Sequence, residues 1–540
     1  MDPFASDVES RETTSDYHSD HEAVFLLRAP PDRSDSKRGK EDAEEGRPRS
    51  FSVSSNNPTT GAFVTFFNIT KCFVGAASFE LPWAFKEAGL LGGCLGLLVL
   101  AFFSFYTLII LAKCGRFAAS LLHKQTATKE NHSRSSKVIT YPDIGRACFG
   151  RAGAFAAWFG ILAMTVGVCG SYLVFMGSSL SHLLSPYGAF FRSTIACTAM
   201  VLPLVIGLSW LRSLRVLAPT SVLGILALLF SLVVTIVDGA RHESITWKAE
   251  EEEEAETMLM MFRVKTYPLF LGNAAFLYLI HSVILPTEQA MKDRSKYKIS
   301  LAAAMLFVTV LNLCFAVICL LFWKENTAQN IIDNLSHGVI TTLVRIFLSI
   351  DLLFTFALFL FPVSEALEHN FFNPSLFGRS WKEEMKRNAL RAVLVIATAG
   401  VALSIPFFSL LTGLSGVFGN NLLGFLLPTL LYVFLSHRFG HWDLLLTSSS
   451  SLLDEVDNDH YNYNDEALID KDDETKEKKK KNKTRSRRPT LRRLFVGQQK
   501  SKAWLRFGEF FLCFTIFTLG LAMMGLGIHA FVREITKEYS

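Results

Sequence analysis

The stretch GAASFELP, residues 75–82, interrupts an apolar run that begins near Phe63. It puts four small residues, the acid Glu80 and Pro82 where a membrane helix should be most regular. A break in such a helix leaves backbone N–H and C=O groups unpaired, which lipid does not tolerate unless the groups face a cavity or a ligand. The stretch therefore predicts an unwound hinge between two half-helices.

A second apolar run has a matching interruption. In LYLIHSVILPTE, residues 277–288, three residues fall inside the run: His281, Ser282 and Pro286. Two broken helices, five spans apart and of opposite direction, indicate an inverted-repeat transporter whose site lies at the bilayer midplane. A single motif of this kind would favour close packing or a proline kink, but two in matching positions favour a binding site.

The composition indicates a membrane protein with many spans. Half of the 540 residues are hydrophobic, the mean hydropathy is +0.30, and apolar stretches long enough to cross the hydrocarbon core recur. The nine cysteines lie in or beside those stretches, so we expect buried thiols and no disulfide framework. Residues 1–60 predict a disordered cytosolic tail, and residues 437–505 predict a disordered, charged cytosolic loop.

Eleven membrane spans are predicted from the apolar runs, so the expected fold is an all-α membrane protein. The predicted spans are residues 63–85, 92–113, 152–180, 191–210, 215–237, 267–290, 299–323, 339–363, 389–405, 409–435 and 507–532. The first ten form a transporter core over residues 61–436, and the eleventh, at 506–532, is followed by a short tail at 533–540. Lysine and arginine collect in the loops of one side, which predicts a cytosolic N-terminus and an outside C-terminus.

Several motifs resemble the amino acid/auxin permease family, which includes vacuolar, lysosomal and plasma-membrane amino acid carriers. The family's first-span pattern is matched by Asn68, Lys71, Val74, Gly75, Pro82, Ala84, Phe85, Ala88 and Gly89. Three further segments resemble the family: YPDIGRACFG (141–150), IHSVILPTEQAMKDRSKY (280–297) and IPFFSLLTGLSGVFGNNLLGFLLP (405–428). The resemblance implies a 5+5 inverted repeat of the LeuT type with helices 1 and 6 broken, plus one extra helix.

The sequence departs from the family pattern at four positions. Ala77 stands where the family has its second glycine, Glu80 replaces a usually apolar residue, and Leu279 stands where proton-coupled members place an acid. His281 instead resembles the histidine of the sodium-coupled neutral amino acid branch. The departures leave both protons and sodium open as the coupling ion.

The resemblance implies that an amino acid is held mainly by backbone groups at the breaks. The half-helix starting near Phe79 would offer N–H groups to the α-carboxylate, and carbonyls just before the breaks, near Lys71 and Cys72 and in 276–278, would meet the α-amine. The predicted substrate-binding residues are Gly75, Ala76, Ala77, Ser78, Lys71, Phe276, Tyr278 and Ser282.

Four side chains are predicted for cation or proton coupling: Glu80, Thr355, Asp351 and His281. Thr355 lies seven residues before Pro362, a spacing that resembles that of the family's threonine beside its cation site. There, carbonyl oxygens near Thr70 and Phe73 would complete a sodium site. Alternatively, the Thr355 hydroxyl only forms a hydrogen bond to a carbonyl oxygen of its own helix. Because apolar surroundings disfavour a charged carboxylate, Glu80 or Asp351 could bind and release a proton. The structural alternatives are an ion pair between Lys71 and one acid and, for the histidine, a hydrogen-bonded packing role. Glu80 is favoured because it lies inside the break.

Two short motifs concern localisation and modification. EAVFLL fits an acidic dileucine sorting signal, which consists of Glu22, Leu26 and Leu27. Adaptor proteins read such signals, so a vacuolar or lysosomal membrane is predicted in preference to the plasma membrane. Asn334 lies in a sequon of a loop placed outside and is a glycosylation candidate.

The leading functional prediction is secondary active transport of amino acids by alternating access, driven by proton symport. The alternatives are a sodium-coupled neutral amino acid carrier and an amino acid sensor that signals through its cytosolic tails. An enzyme is not expected, because the sequence has no P-loop, Gly-x-Ser-x-Gly or His-Glu-x-x-His motif. The expected partners are the amino acid and the lipid bilayer, with no cofactor, metal or nucleic acid.

Overall fold

The computed structural model describes residues 61–127, 139–211, 218–246, 262–372, 381–439 and 488–539, and every regular element in these ranges is a helix. In the first half of the chain the helices are α1 (Ala62–Phe73), α2 (Leu81–Ala88), α3 (Leu90–Ala127), α4 (Tyr141–Leu184), α5 (Thr194–Ser209) and α6 (Ala218–Thr246). In the second half they are α7 (Tyr267–Leu277), α8 (His281–Gln289), α9 (Tyr297–Trp323), α10 (Val339–Phe371), α11 (Trp381–Ser404), α12 (Phe408–Ser415), α13 (Leu427–Phe439) and α14 (Arg488–Tyr539). A π-helical segment, Gly416–Leu426, joins α12 to α13.

Most of these helices are membrane spans by their length and composition. Within the described ranges, nine helical segments are long and apolar enough to cross a membrane. Together with two shorter apolar helices, α1 and α5, they coincide with the eleven predicted spans. The first span differs in form because it is divided into α1 and α2, and the fourth is only the 16-residue α5. The prediction of an all-α membrane fold is confirmed.

The first break follows α1. Val74 and Gly75 adopt extended backbone conformations, and a 3-10 turn over Ala76–Phe79 leads into α2. Pro82 lies in the first turn of α2, where a missing N–H removes no helical hydrogen bond. The predicted hinge is present, although its second half-helix begins at Leu81, slightly later than expected.

The second break separates α7 from α8. α7 ends at Leu277, residues 278–280 form a tight turn, and α8 begins at His281. The break lies inside the predicted stretch 277–288, but the three residues that interrupt the apolar run, His281, Ser282 and Pro286, lie inside α8. Pro286 removes only one N–H donor, and packed neighbours in a membrane protein tolerate such a loss.

α4 and α14 begin more than ten residues earlier than the sequence predicts. α4 starts with a capping box formed by Thr140 and Asp143, and it bends where Gly150 has a φ of 62°, a conformation that glycine adopts without strain. α14 begins at Arg488, so the end of the predicted charged loop is helical. The predicted disordered tail, residues 1–60, and residues 440–487 of that loop lie outside the described residues.

A buried ion cluster fastens α10 to α11 and to the end of α5. Glu368 of α10 is fully buried and accepts hydrogen bonds from Arg391 Nε at 2.5 Å and Arg387 Nε at 2.7 Å. Arg391 also donates to the carbonyl oxygens of Ser209 and Leu211, at 2.8 and 2.9 Å. Because a buried guanidinium needs a compensating charge, the Glu368 carboxylate holds these helices in place.

We expect Glu368→Gln to destabilise the protein by about 3–5 kcal/mol, because it leaves the buried Arg391 guanidinium without its compensating charge. The thermal unfolding midpoint of the purified protein in detergent measures this loss. Glu383→Gln is the matched control, since Glu383 pairs with Lys386, whose side chain is 59% exposed, and such a pair contributes about 0–1 kcal/mol. Equal midpoints for the two variants would contradict the role of Glu368.

Candidate functional site

The two helix breaks face each other across a small cavity. The cavity is lined by Cys72, Phe73, Gly75, Ala76, Ala77, Val168, Tyr172, Phe276, Leu277, Leu279 and Phe359. These residues come from both breaks and from α4 and α10. Its volume of about 30 Å³ has room for one or two water molecules. The surrounding side chains must therefore separate before anything larger can enter.

The first break leaves backbone groups of both kinds unpaired. In a continuous helix, the N–H groups of residues 75–77 would bond the carbonyl oxygens of residues 71–73. The extended conformations of Val74 and Gly75 prevent these bonds, and no acceptor for the Gly75 N–H exists among the described residues. Three donors therefore lie next to three acceptors at one edge of the cavity.

These groups match the two ends of a zwitterion. N–H groups ahead of a helical turn carry the positive end of the peptide dipoles and bind carboxylates. Carbonyl oxygens at a helix end bind ammonium groups or cations for the opposite reason. At the second break, the carbonyl oxygen of Leu279 also accepts no backbone hydrogen bond within the described ranges. Both breaks thus offer backbone groups to one small polar molecule.

Gly75 keeps the space at the first break open. A Cβ placed on Gly75 would meet no atom within 4 Å. The φ of −164° at this residue is an extended conformation that any residue adopts. A larger side chain at residue 75 would therefore fit the backbone and occupy the cavity.

Glu80 lies outside the cavity lining, in a buried polar cluster. It is 1% exposed, and its Oε2 accepts a hydrogen bond from Thr412 Oγ1 of α12. Thr412 Oγ1 also lies 3.2 Å from Asn273 Oδ1 of α7. The other carboxyl oxygen, Oε1, has no partner among the described residues. Glu80 can therefore hold a proton on Oε1 while it keeps its bond to Thr412.

The eleventh predicted span closes this cluster on one side. Phe531 of α14 is fully buried and packs against Gly272 and Gly413. These glycines are the chain neighbours of Asn273 and Thr412, and a side chain on either would collide with the Phe531 ring. The polar cluster is thus covered by an aromatic side chain from a helix outside the ten-helix core.

Lys71, Asp351 and Thr355 are not brought together with Glu80. The Asp351 carboxylate packs against Gly224 of α6. Lys71 attracts Asp351 electrostatically, but no ion pair joins the two among the described residues. The Thr355 hydroxyl makes no hydrogen bond within the described ranges, so the back-bond to its own helix is not formed.

Four of the predicted substrate-binding residues line the cavity, namely Gly75, Ala76, Ala77 and Phe276. The other four are Lys71, Ser78, Tyr278 and Ser282, and they do not. The Tyr278 hydroxyl instead lies 2.9 Å from Thr309 Oγ1 of α9, and Ser282 Oγ donates to Met164 Sδ at 3.6 Å. His281 is fully buried, with Nε2 3.0 Å from Thr107 Oγ1 of α3. The tight turn at 278–280 directs these side chains into packing contacts.

Five residues of the site were missed by reasoning from the sequence. Val168, Tyr172 and Phe359 line the cavity from distant helices, and no local pattern marks them. Thr412 is the hydrogen-bond partner of Glu80, and Asn273 Oδ1 lies 3.2 Å from Thr412 Oγ1. The sequence marks Thr412 and Asn273 only as polar residues within apolar runs, and many residues with a purely structural role have the same feature.

Asn334 has a structural role in its loop. Its Oδ1 accepts from the Ala328 N–H at 2.7 Å, and its Nδ2 donates to Asn326 O at 2.8 Å. A glycan on Nδ2 would disturb these contacts, so glycosylation at Asn334 stays a prediction. The sorting residues Glu22, Leu26 and Leu27 lie outside the described residues.

Comparison with known proteins gives both a family and relatives. Residues 58–439 match the family described as transmembrane amino acid transporter protein. Amino acid transporter AVT3C of Arabidopsis thaliana is 28% identical over 409 residues, which cover 71% of this chain and 85% of the relative. AVT3B of the same plant is 29% identical over 417 residues, covering 74% and 92%. The vesicular inhibitory amino acid transporter of Xenopus tropicalis is 25% identical over 402 residues, covering 72% and 73%.

Among solved structures, a Na⁺-coupled sialic acid symporter in a substrate-bound, outward-open state aligns with 71% of this chain and 88% of its own. The TM-score is 0.35 and the sequence identity is 10%.

Proposed function

The chain belongs to the transmembrane amino acid transporter family, as its motifs predicted, and from this premise we propose that it carries amino acids across a membrane by secondary active transport. The observation that carries the proposal is the set of unpaired backbone groups at two breaks that face one cavity. Backbone groups recognise what all amino acids share. The side chains around the cavity then select among them.

The amino acid binds with its carboxylate at the N–H groups of residues 75–77 and its amine at carbonyl oxygens of the breaks. Hydrogen bonds to charged groups are shorter and stronger than those between neutral groups, so the zwitterion satisfies backbone groups that would otherwise stay unpaired. The small cavity widens toward one side of the membrane and then the other. The two half-helix pairs supply the moving parts for this alternating access.

The side chains that line the cavity determine which amino acids are selected. No charged side chain is among the described residues that line the cavity, and burial of an unpaired charge is unfavourable. We therefore expect amino acids with neutral side chains to be taken up at least about 10-fold faster than those with charged side chains. Initial uptake rates for alanine, leucine, glutamate and lysine test this, and equal rates for all four would contradict the assignment of the lining.

A proton is the proposed coupling ion, bound by Glu80. Its burial and its unpaired Oε1 support this role, because a carboxyl in such surroundings favours the protonated form. Sodium is the second candidate, and the free hydroxyl of Thr355 favours it. The two candidates use different residues, so they can be separated by experiment.

An endosomal, lysosomal or vacuolar membrane is the proposed location. A vesicular transporter among the relatives supports an internal membrane. The acidic dileucine pattern of Glu22, Leu26 and Leu27 would be the sorting signal that adaptor proteins recognise.

Uptake of labelled amino acids into proteoliposomes, with a pH gradient or a sodium gradient imposed separately, tests the proposed function. Accumulation driven by the pH gradient is the expected result. Accumulation driven only by the sodium gradient would assign ion coupling to Thr355 instead of Glu80. No uptake under either gradient, with measurable amino acid binding, would overturn the carrier and favour a sensor.

A further inference from the structure

A second group of buried polar atoms lies away from the cavity, between α8 and the π-helical segment. His281 Nδ1 and both polar atoms of the Asn420 side chain have no hydrogen-bond partner among the described residues. Both residues are 0% exposed. An unpaired polar atom in a protein interior is unfavourable, so native structures supply it with a protein group or an ordered water molecule.

Gly424 brings these atoms to one place. A Cβ placed on Gly424 would lie 2.6 Å from Asn420 Oδ1 and 3.1 Å from His281 Nδ1. These two distances place Asn420 Oδ1 and His281 Nδ1 within about 6 Å of each other, a separation that one bridging water molecule can span. A side chain at residue 424 would collide with both residues, so the glycine lets them approach the helix backbone this closely.

The hydrogen bonds of Thr107 indicate what this molecule must supply. Thr107 Oγ1 donates to Ser104 O at 3.1 Å, so its lone pair accepts Nε2–H of His281 at 3.0 Å. In a neutral imidazole, Nδ1 is then the acceptor. The occupant must donate to Nδ1 and also pair with an amide that both donates and accepts. A water molecule both donates and accepts, whereas a bare metal cation cannot donate a hydrogen bond.

We propose that one water molecule binds beside Gly424, bridges His281 Nδ1 to the side-chain amide of Asn420, and forms a movable contact between α8 and the π-helical segment. Single π-helical turns are found at functional sites, and this segment is 11 residues long. A water bridge can re-form in several geometries, so α8 can shift while His281 Nδ1 keeps a hydrogen-bond donor. The water site does not depend on the proposed function, but its role in transport rests on it.

A double-mutant cycle on thermal stability tests the site. We expect Asn420→Leu and His281→Leu each to lower the unfolding midpoint, because each removes one side of the bridge and leaves the other side chain without its full set of hydrogen bonds. The double variant should lower the midpoint by less than the sum of the two single losses. If the gap is dry, Asn420→Leu removes two unpaired polar atoms and raises the midpoint, which overturns the proposal. Asn312→Leu is the control, since its amide donates within its own helix to Val308 O at 2.9 Å, and its loss should add to that of His281→Leu.

An experimental density map that resolves water gives the direct test. A peak within hydrogen-bond distance of both His281 Nδ1 and the Asn420 amide is expected. A direct hydrogen bond between the two side chains, with no peak, would overturn the site.

The role in transport is measured separately from the site. The Asn420→Leu/His281→Leu double variant should have a several-fold lower turnover number than the wild type and an unchanged KM. Wild-type turnover in this variant would overturn the role. Absence of uptake by the wild type itself would count against the proposed function. The water site would then be tested by the double-mutant cycle on thermal stability alone.

Discussion

Replacing Gly75 by leucine is expected to lower amino acid uptake by about 100-fold or more, because the new side chain fills the space between the two breaks. The backbone does not oppose the change, since a Cβ at residue 75 meets nothing within 4 Å and the φ of −164° suits any residue. The cavity of about 30 Å³ cannot hold both a leucine side chain and a substrate. The unfolding midpoint of Gly75→Leu, measured beside its uptake, separates loss of function from loss of fold.

Gly400→Leu is the matched control for Gly75→Leu. Gly400 lies on an exposed face of α11, and a Cβ there also meets nothing within 4 Å. We expect only Gly75→Leu to lose uptake, and the unfolding midpoints of both variants in detergent, measured beside that of the wild type, show whether the fold is kept. Wild-type uptake by Gly75→Leu would show that the substrate does not bind at this break.

Replacing Glu80 by glutamine is expected to abolish the effect of a pH gradient on accumulation. One pH unit corresponds to about a 10-fold accumulation for each coupled proton, since one unit is about 1.4 kcal/mol. Glutamine keeps the shape of Glu80 and an oxygen to accept from Thr412, but it cannot bind a proton. The variant should accumulate no more substrate with the gradient than without it.

Exchange of labelled for unlabelled amino acid distinguishes coupling from substrate binding. It requires no net proton movement, so Glu80→Gln should retain exchange while losing gradient-driven accumulation. Asp351→Asn is the control, because Asp351 lies on α10 against Gly224 and away from the polar cluster of Glu80. Full gradient-driven accumulation by Glu80→Gln, or its loss in Asp351→Asn alone, would assign the proton to another residue.

The two breaks could be predicted from the sequence because their causes are local. Small residues followed by an acid and a proline mark the first break, and the observed hinge lies there. The second break, at 278–280, lies inside the predicted stretch 277–288, but Pro286 of that stretch lies within α8. Proline removes one donor wherever it stands, and packing decides whether the helix continues.

The hydrogen-bond partner of Glu80 could not be predicted from the sequence. Thr412 lies 332 residues from Glu80 in the chain, and each polar residue looks in isolation like one that bonds to its own helix. The same limit applies to Tyr172 and Phe359, which reach the cavity from α4 and α10. Such contacts depend on how separate helices pack, which the order of residues in one helix does not encode.

The most direct test of the substrate site is an experimental structure of the protein with its best-transported amino acid bound. The carboxylate is expected about 2.7–3.2 Å from N–H groups of residues 75–77. The amine is expected at the carbonyl oxygens of residues 71–73 or Leu279. An amino acid bound away from both breaks would contradict the proposed transport mechanism.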